Sequence, residues 1–225
     1  DALPILREPE LWAFITGRAN DEPTHISLLL DTLAGGPAGR DRPLFHTFDT
    51  LRERIMENPE AFWERVVDLH SQIVGWFQDR DLFHKIGFLV ASGTPLGELV
   101  QRYLASQTRS QFQTILDLRI RESLRLSEEG LRELNYQSAA SPRVLLLMNV
   151  ETVRCRKHST ERYSFREHAG GRWSLEHIHA QNAEPLNRAE QWKAWLALQS
   201  RALRALDEVD PARARELLGR ADEAL

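Results

Sequence analysis

Residues 173–182, Trp-Ser-Leu-Glu-His-Ile-His-Ala-Gln-Asn, set a carboxylate beside a histidine where a β-prone apolar stretch gives way to polar residues. The pair has the parts for metal-assisted phosphodiester hydrolysis. Glu176 supplies an oxygen ligand to hold a divalent cation against a phosphate oxygen, and a neutral His177 takes the proton from an attacking water. An unperturbed imidazole titrates near about 6.5, so His177 is mostly neutral around neutral pH. In an extended strand His179 shares a face with His177, which suits it to be a second metal ligand or a phosphate contact. A hydrogen-bonding role holding the loop fits His179 equally well. Gln181 and Asn182 carry amides suited to bracing that loop through backbone hydrogen bonds. Each residue also has a plain reading: a lone histidine at a strand end is more often structural, and a lone glutamate is an ordinary surface carboxylate.

The run EHIHAQ (176–181) resembles the Glu-His-Ile-x-(Pro/Ala)-Gln signature of the His-Me finger (HNH) nuclease domain in GmrSD-type modification-dependent, or type IV, restriction endonucleases. Upstream, LFHKIGFLVASG (82–93) and RVLLLMNVE (143–151) resemble the helical region before that signature, and RYSFRE (162–167) resembles its short lead-in strand. Their order is the stronger argument, since each segment alone is common. The resemblance spans most of residues 49–196. It implies His177 as general base and Glu176 as metal ligand, with Ala180 standing where many relatives have Pro. It further implies hydrolysis of DNA, modified foreign or phage DNA in particular, with one divalent ion, magnesium or alternatively manganese. Relatives begin with a ParB-like nucleotide-binding domain, of which this sequence shows no trace, so any nucleotide belongs to that partner domain. The family site also needs a second strand and a helix bearing an Asn or His ligand, and residues 188–225 contain neither residue type. The expectation is therefore a chain that starts and stops inside a longer protein, with an incomplete nuclease domain and little cleavage of its own.

Composition sets broader bounds. With 225 residues and 42% hydrophobic residues the chain has ample material for a core. No apolar run approaches the roughly 20 residues that span a bilayer, and the start, DALPILREPE, lacks the basic-then-apolar order of a signal peptide. The single cysteine, Cys155, has no internal disulfide partner, which points to the reducing cytoplasm. A formal charge of −4 is unlike a nucleic-acid binder, yet residues 143–172 hold seven Arg or Lys against three Glu, a local +4 that leaves −8 for the rest. Arg154, Arg156, Lys157, Arg162, Arg166 and Arg172 thus lead into the candidate site as a phosphate-facing segment. The plain alternative is a solvated loop in an Arg-rich protein. A zinc site built from Cys155, His158, His168, His177 and His179 has suitable ligand types but not the tight paired spacing usual for zinc. His84, set among Phe83, Ile86 and Phe88, reads as a core histidine.

The elements that must position these residues are mostly helical. Asn58-Pro59-Glu60 reads as N-cap, N1 and N2 of a helix with Phe62, Val66, Leu69, Ile73 and Trp76 as its buried stripe. Thr94-Pro95 opens another with Leu96, Leu99 and Tyr103 inward, and residues 8–16, 24–34, 47–57, 80–91, 108–127 and 142–153 are further helices. Residues 35–43 are too rich in Gly and Pro for regular structure. Strand signals are confined to 161–166 and 172–178, joined by a turn at 168–171. Trp192, Trp195, Leu196, Leu203 and Leu206 mark a later helix, and Asp210-Pro211 starts another. The expected protein is mainly α: an N-terminal helical segment and loop (1–45), a helical bundle (46–160), and a partial nuclease domain (161–225) with a short β-hairpin and two further helices. Two functions compete, a DNA endonuclease of a restriction system and a non-catalytic helical DNA-binding or assembly module, which would leave room for an oligomer.

Overall fold

The computed structural model describes residues 8–19, 26–36, 41–135, 137–171 and 188–205. They are mainly helical, and no strand occurs among them. Residues 1–175 and 176–225 make two compact units.

In the first unit the helices begin and end where short-range chemistry dictates. Helix α1 (Pro9–Thr16) opens on a proline and closes on Gly17, whose left-handed φ of 66° lets its N–H reach Ala13 O at 2.9 Å. Helices α2 (Ile26–Ala34) and α3 (His46–Glu57) follow. The Asn58 side chain accepts the N–H of Ala61 at 3.0 Å and starts α4 (Pro59–Gln78), as its Asn-Pro-Glu sequence predicts. Asp79 ends α4 and at once caps α5 (Arg80–Ala91), accepting the N–H groups of Asp81 and Leu82, both at 3.1 Å. Helix α6 (Leu96–Leu104) starts one residue later than Thr94-Pro95 suggests, with Pro95 as its N-cap. Thr108 caps α7 (Arg109–Leu124), and Ser127 caps the short α8 (Glu128–Arg132). Helix α9 (Ser141–Arg154) is followed by an irregular stretch and then α10 (Phe165–Ala169).

Helix α5 is the axis of this unit. All residues from Leu82 to Val90 are buried, Ile86, Phe88 and Leu89 completely, so the helix is enclosed on every side instead of presenting one apolar stripe. It packs against α1, α4, α7, α9 and α10. Leu11, Phe14 and Ile15 of α1 and Leu29 of α2 enter the same core as Val66, Ile73 and Trp76 of α4, so residues 8–36 share one hydrophobic cluster with the helices that follow. Each such side chain, fully buried, contributes roughly 1.5–3 kcal/mol of transfer free energy. Aromatic rings organise the centre: Phe14 stacks on Phe83 at 5.1 Å and Trp76 on Phe112 at 5.5 Å.

The expected strand over 161–166 does not form. Residues 161–164 are irregular with no strand alongside them among the described residues, and Phe165–Ala169 is helical because Ser164 accepts the N–H of Glu167 at 3.3 Å as an N-cap. His168 and Ala169, expected in a hairpin turn, lie in that helix. The period-2 pattern holds in one respect, since Tyr163 and Phe165 are buried while Arg162 is exposed. The second expected strand, 172–178, lies outside the described residues.

In the second unit the described element is α11 (Ala189–Ala205), where Trp192 and Trp195 meet edge to face at 5.9 Å. The helix expected after Asp210-Pro211 is outside the described residues. Among the described residues no helix is long and apolar enough to cross a membrane.

Candidate functional site

Glu176, His177, His179, Gln181, Asn182 and Arg172 lie outside the described residues. The described part of the candidate region is the basic approach to them, residues 154–171, and the helix face that holds it.

Three residues of α5, Arg80, His84 and Gly87, hold that approach at i, i+4 and i+7. Arg80 donates from Nε to the carbonyl of Glu161 at 2.9 Å, and from its terminal nitrogens to the carbonyls of Arg154 at 2.9 Å and Val153 at 2.6 Å. It therefore neutralises the open carbonyl end of α9 while fastening the irregular stretch. One turn on, His84 is completely buried, and its Nε2 accepts the N–H of Tyr163 at 3.2 Å. With Nε2 committed as an acceptor, the ring proton sits on Nδ1, which donates to the carbonyl of Arg80 at 2.6 Å. Burial, with the charges of Arg80, Arg154 and Arg162, holds this imidazole below its ordinary pKa and keeps it neutral, although the bond to the Arg80 carbonyl pulls the other way. A further turn on, Gly87 leaves room for the Phe165 ring: a Cβ there would lie 2.2 Å from the nearest ring carbon. Phe165 completes its seat edge-on to Phe83 at 5.2 Å.

The basic residues divide by what they touch. Arg154 pairs with Glu151 at 2.6 Å and with Asp81 at 2.7 Å, and these bonds, led by the one to Glu151, raise its pKa further despite burial. Burial works against ionisation of Asp81, but the Arg154 hydrogen bond and the charges of Lys85 and Arg154 outweigh it and hold its carboxyl below the usual range. Lys85, 8% exposed, lies 2.8 Å from Asp117 and 3.5 Å from Asp81. Arg162 donates to the carbonyls of Phe77 and Gln78 at the end of α4, and its guanidinium lies 5.0 Å over the Phe83 ring. Arg166 makes a half-exposed pair with Glu10 at 3.6 Å, and Arg156 an exposed one with Glu161. Lys157 is exposed. The stretch read as one phosphate-facing patch is thus two sets, with Arg154 and Arg162 built into the fold and Arg156, Lys157 and Arg166 at the surface.

No three His, Cys, Asp or Glu side chains converge as a metal site among the described residues, which include Cys155, His158 and His168 of the zinc alternative. His168 instead lies 3.3 Å from the Tyr163 hydroxyl. A cleft of about 960 Å³ between α1, α2 and the α5–α6 connection is lined by Trp12, Asp31, Arg42, Thr94 and Glu98, and its described lining includes none of the described basic residues 154–166.

Sequence reasoning missed Arg80, while His84 is the satisfied core histidine it expects, buried with both ring nitrogens bonded. The signal was faint but present: Arg80, His84 and Gly87 are three non-hydrophobic positions on one face of α5, and each meets an odd-numbered residue from 161 to 165. No protein-family model matches this chain, and no curated protein or solved structure is significantly similar to it.

Proposed function

We propose that this chain is part of a metal-dependent DNA endonuclease of a modification-dependent restriction system. His177 is the general base, Glu176 and His179 are metal ligands, and Gln181 and Asn182 brace the loop. The observation that carries the reading is the EHIHAQ motif in its ordered context. One structural relation supports it. The three upstream segments with weak individual resemblance, 82–93, 143–151 and 162–167, belong to elements that pack together as α5, α9 and the approach to the motif, tied through Arg80 and His84.

In this reading Arg156, Lys157 and Arg166 meet DNA phosphates, giving sequence-independent affinity. His177 accepts the proton of the water that attacks phosphorus, so it must be neutral when substrate binds. A carboxylate with an imidazole is a donor set suited to a small divalent cation, magnesium or manganese, which would polarise the phosphate oxygen when bound. Any nucleotide would act in a ParB-like partner domain, and modified foreign or phage DNA would be the target. Cys155 as a lone, exposed thiol fits a cytoplasmic setting.

Plasmid cleavage with Mg²⁺ or Mn²⁺ tests the proposal. In the full-length enzyme, His177→Ala should lower the rate by about 10²–10⁴-fold while DNA affinity stays near that of the wild type. A folded His177→Ala protein that cuts at the original rate would end the assignment.

A non-catalytic assembly module is the second reading, and one observation favours it. Helix α3 and its lead-in expose Leu44, Phe45, Phe48, Ile55 and Met56 along an apolar groove of about 550 Å³, a surface of the kind that protein partners cover.

A further inference from the structure

The stretch 161–165 runs into α10 without regular structure of its own, the Phe165 N–H turning back to Tyr163 O at 3.1 Å. Among the described residues no strand lies beside it, and α5 meets it instead. Arg80 takes the carbonyl of Glu161, His84 takes the N–H of Tyr163, and Gly87 vacates the space for Phe165. Arg80, His84 and Gly87 stand on successive turns of one helix face, so residues 161, 163 and 165 each meet a successive rung of the ladder.

The rungs differ in chemistry. An arginine is charged at all ordinary pH, and a glycine has nothing to titrate. His84 alone changes its hydrogen-bonding role within reach of mild acid. Its Nδ1 is committed to Arg80 O, so any added proton goes to Nε2 and sets a donor against the donor N–H of Tyr163. The added charge would stand in a fully buried site. The charged and titratable groups around it are Arg80 on its own helix, Arg154 at the end of α9, Arg162 and Tyr163 in the stretch itself, and His168 of α10 behind the Tyr163 hydroxyl. The three charged ones are all cations and oppose the proton.

We infer that residues 161–165 are a strap that α5 holds in register, and that protonation of His84 at Nε2 releases it, loosening the chain just before Glu176 and His177. The release is a property of the strap itself. Only its consequence for cleavage rests on the nuclease reading above, in which His84 is a positioning residue acting through Tyr163 and the strap.

Amide hydrogen exchange of the whole chain tests this, with rates corrected for intrinsic pH dependence. In the wild type the Tyr163 amide should be protected at about pH 7.5 and lose at least tenfold of that protection by about pH 5, while the amides of Phe88 and Val150 stay protected. His84→Gln keeps an acceptor that does not titrate, so Tyr163 should stay protected across that range. His84→Phe removes the acceptor, and Tyr163 should be unprotected throughout. Wild-type protection of Tyr163 in His84→Phe, or acid loss that persists unchanged in His84→Gln, would overturn the inference. Should His84→Phe lose protection everywhere, the comparison of His84→Gln with wild type decides. Cleavage is the separate arm: if the wild type cuts DNA, acid should lower kcat more in wild type than in His84→Gln with KM for DNA unchanged. A full-length enzyme containing this chain that never cuts refutes the nuclease reading and leaves the exchange result to judge the strap.

Discussion

Arg80 and Arg162 cap each other's neighbours: Arg80, at the start of α5, donates to the final carbonyls of α9, while Arg162, just beyond α9, donates to the final carbonyls of α4, the helix before α5. Two cations thus lie at two helix C-termini, where the aligned peptide dipoles favour positive charge. Replacing Arg162 with Ala should cost about 1–2 kcal/mol through loss of these charge-assisted bonds. Urea denaturation should show a lower midpoint with an unchanged m-value. An unaltered midpoint would mean that the guanidinium is free for another role, DNA binding included.

Gly87 gives a prediction against the usual rule. In a helix interior, Gly→Ala ordinarily stabilises by roughly 0.5–1 kcal/mol. Here the new methyl would enter the Phe165 ring, so Gly87→Ala should instead destabilise by about 1–3 kcal/mol, as overpacked cores do. Phe165→Leu in the same chain should recover part of the loss. Thermal melts of the single and double variants measure the coupling, and a more stable Gly87→Ala protein would show that the ring is easily displaced.

The division of the basic residues can be read from salt dependence. Substituting Arg156 and Lys157 together by Ala should weaken binding to all DNA sequences alike and lower the log–log salt slope by up to about 0.9 for each phosphate no longer neutralised. Arg154→Ala should behave differently. It leaves Glu151 and Asp81 without their shared cation, so the effect should appear in stability, by roughly 1–2 kcal/mol, with the salt slope unchanged. Fluorescence anisotropy over a salt series separates the two, and equal slopes in wild type and the double variant would make Arg156 and Lys157 ordinary solvated residues.

Acid should weaken the fold before any carboxylate is protonated. Burial holds His70, His84 and His168 below the ordinary 6.5, so the unfolded chain takes up protons on these rings first. Stability should therefore be constant above about pH 6.5, fall as pH drops below it, and level off beneath the folded pKa values. Asp81 adds a second loss at lower pH, since its folded carboxyl titrates below 3.8 and its contribution disappears as pH falls from there through the folded value. Denaturation midpoints between about pH 8 and 5 should show the first loss, with a smaller slope in His84→Gln. A flat profile would mean that the rings protonate equally well in the folded chain.

The helices were legible because their signals are local. Asn58-Pro59 needs only the next turn to act as a cap, and the stripe Val66, Leu69, Ile73, Trp76 carries its period wherever the partner lies. Glu176 and His177 rest on residue type and spacing alone, since they lie outside the described residues. The strap was not legible. Alternation at 162–165 states that Tyr163 and Phe165 are buried, but β-pairing and docking on a helix bury the same residues, and only α5, about 80 positions earlier, decides between them. Basic charge along 154–166 likewise says nothing of partners: Arg154 and Arg162 face Asp81 and the end of α4, groups that are distant in sequence and adjacent only after folding. Residue type and period are fixed by the chain one position at a time, whereas the partner of a hydrogen bond or a charge is chosen by which helices the core brings together.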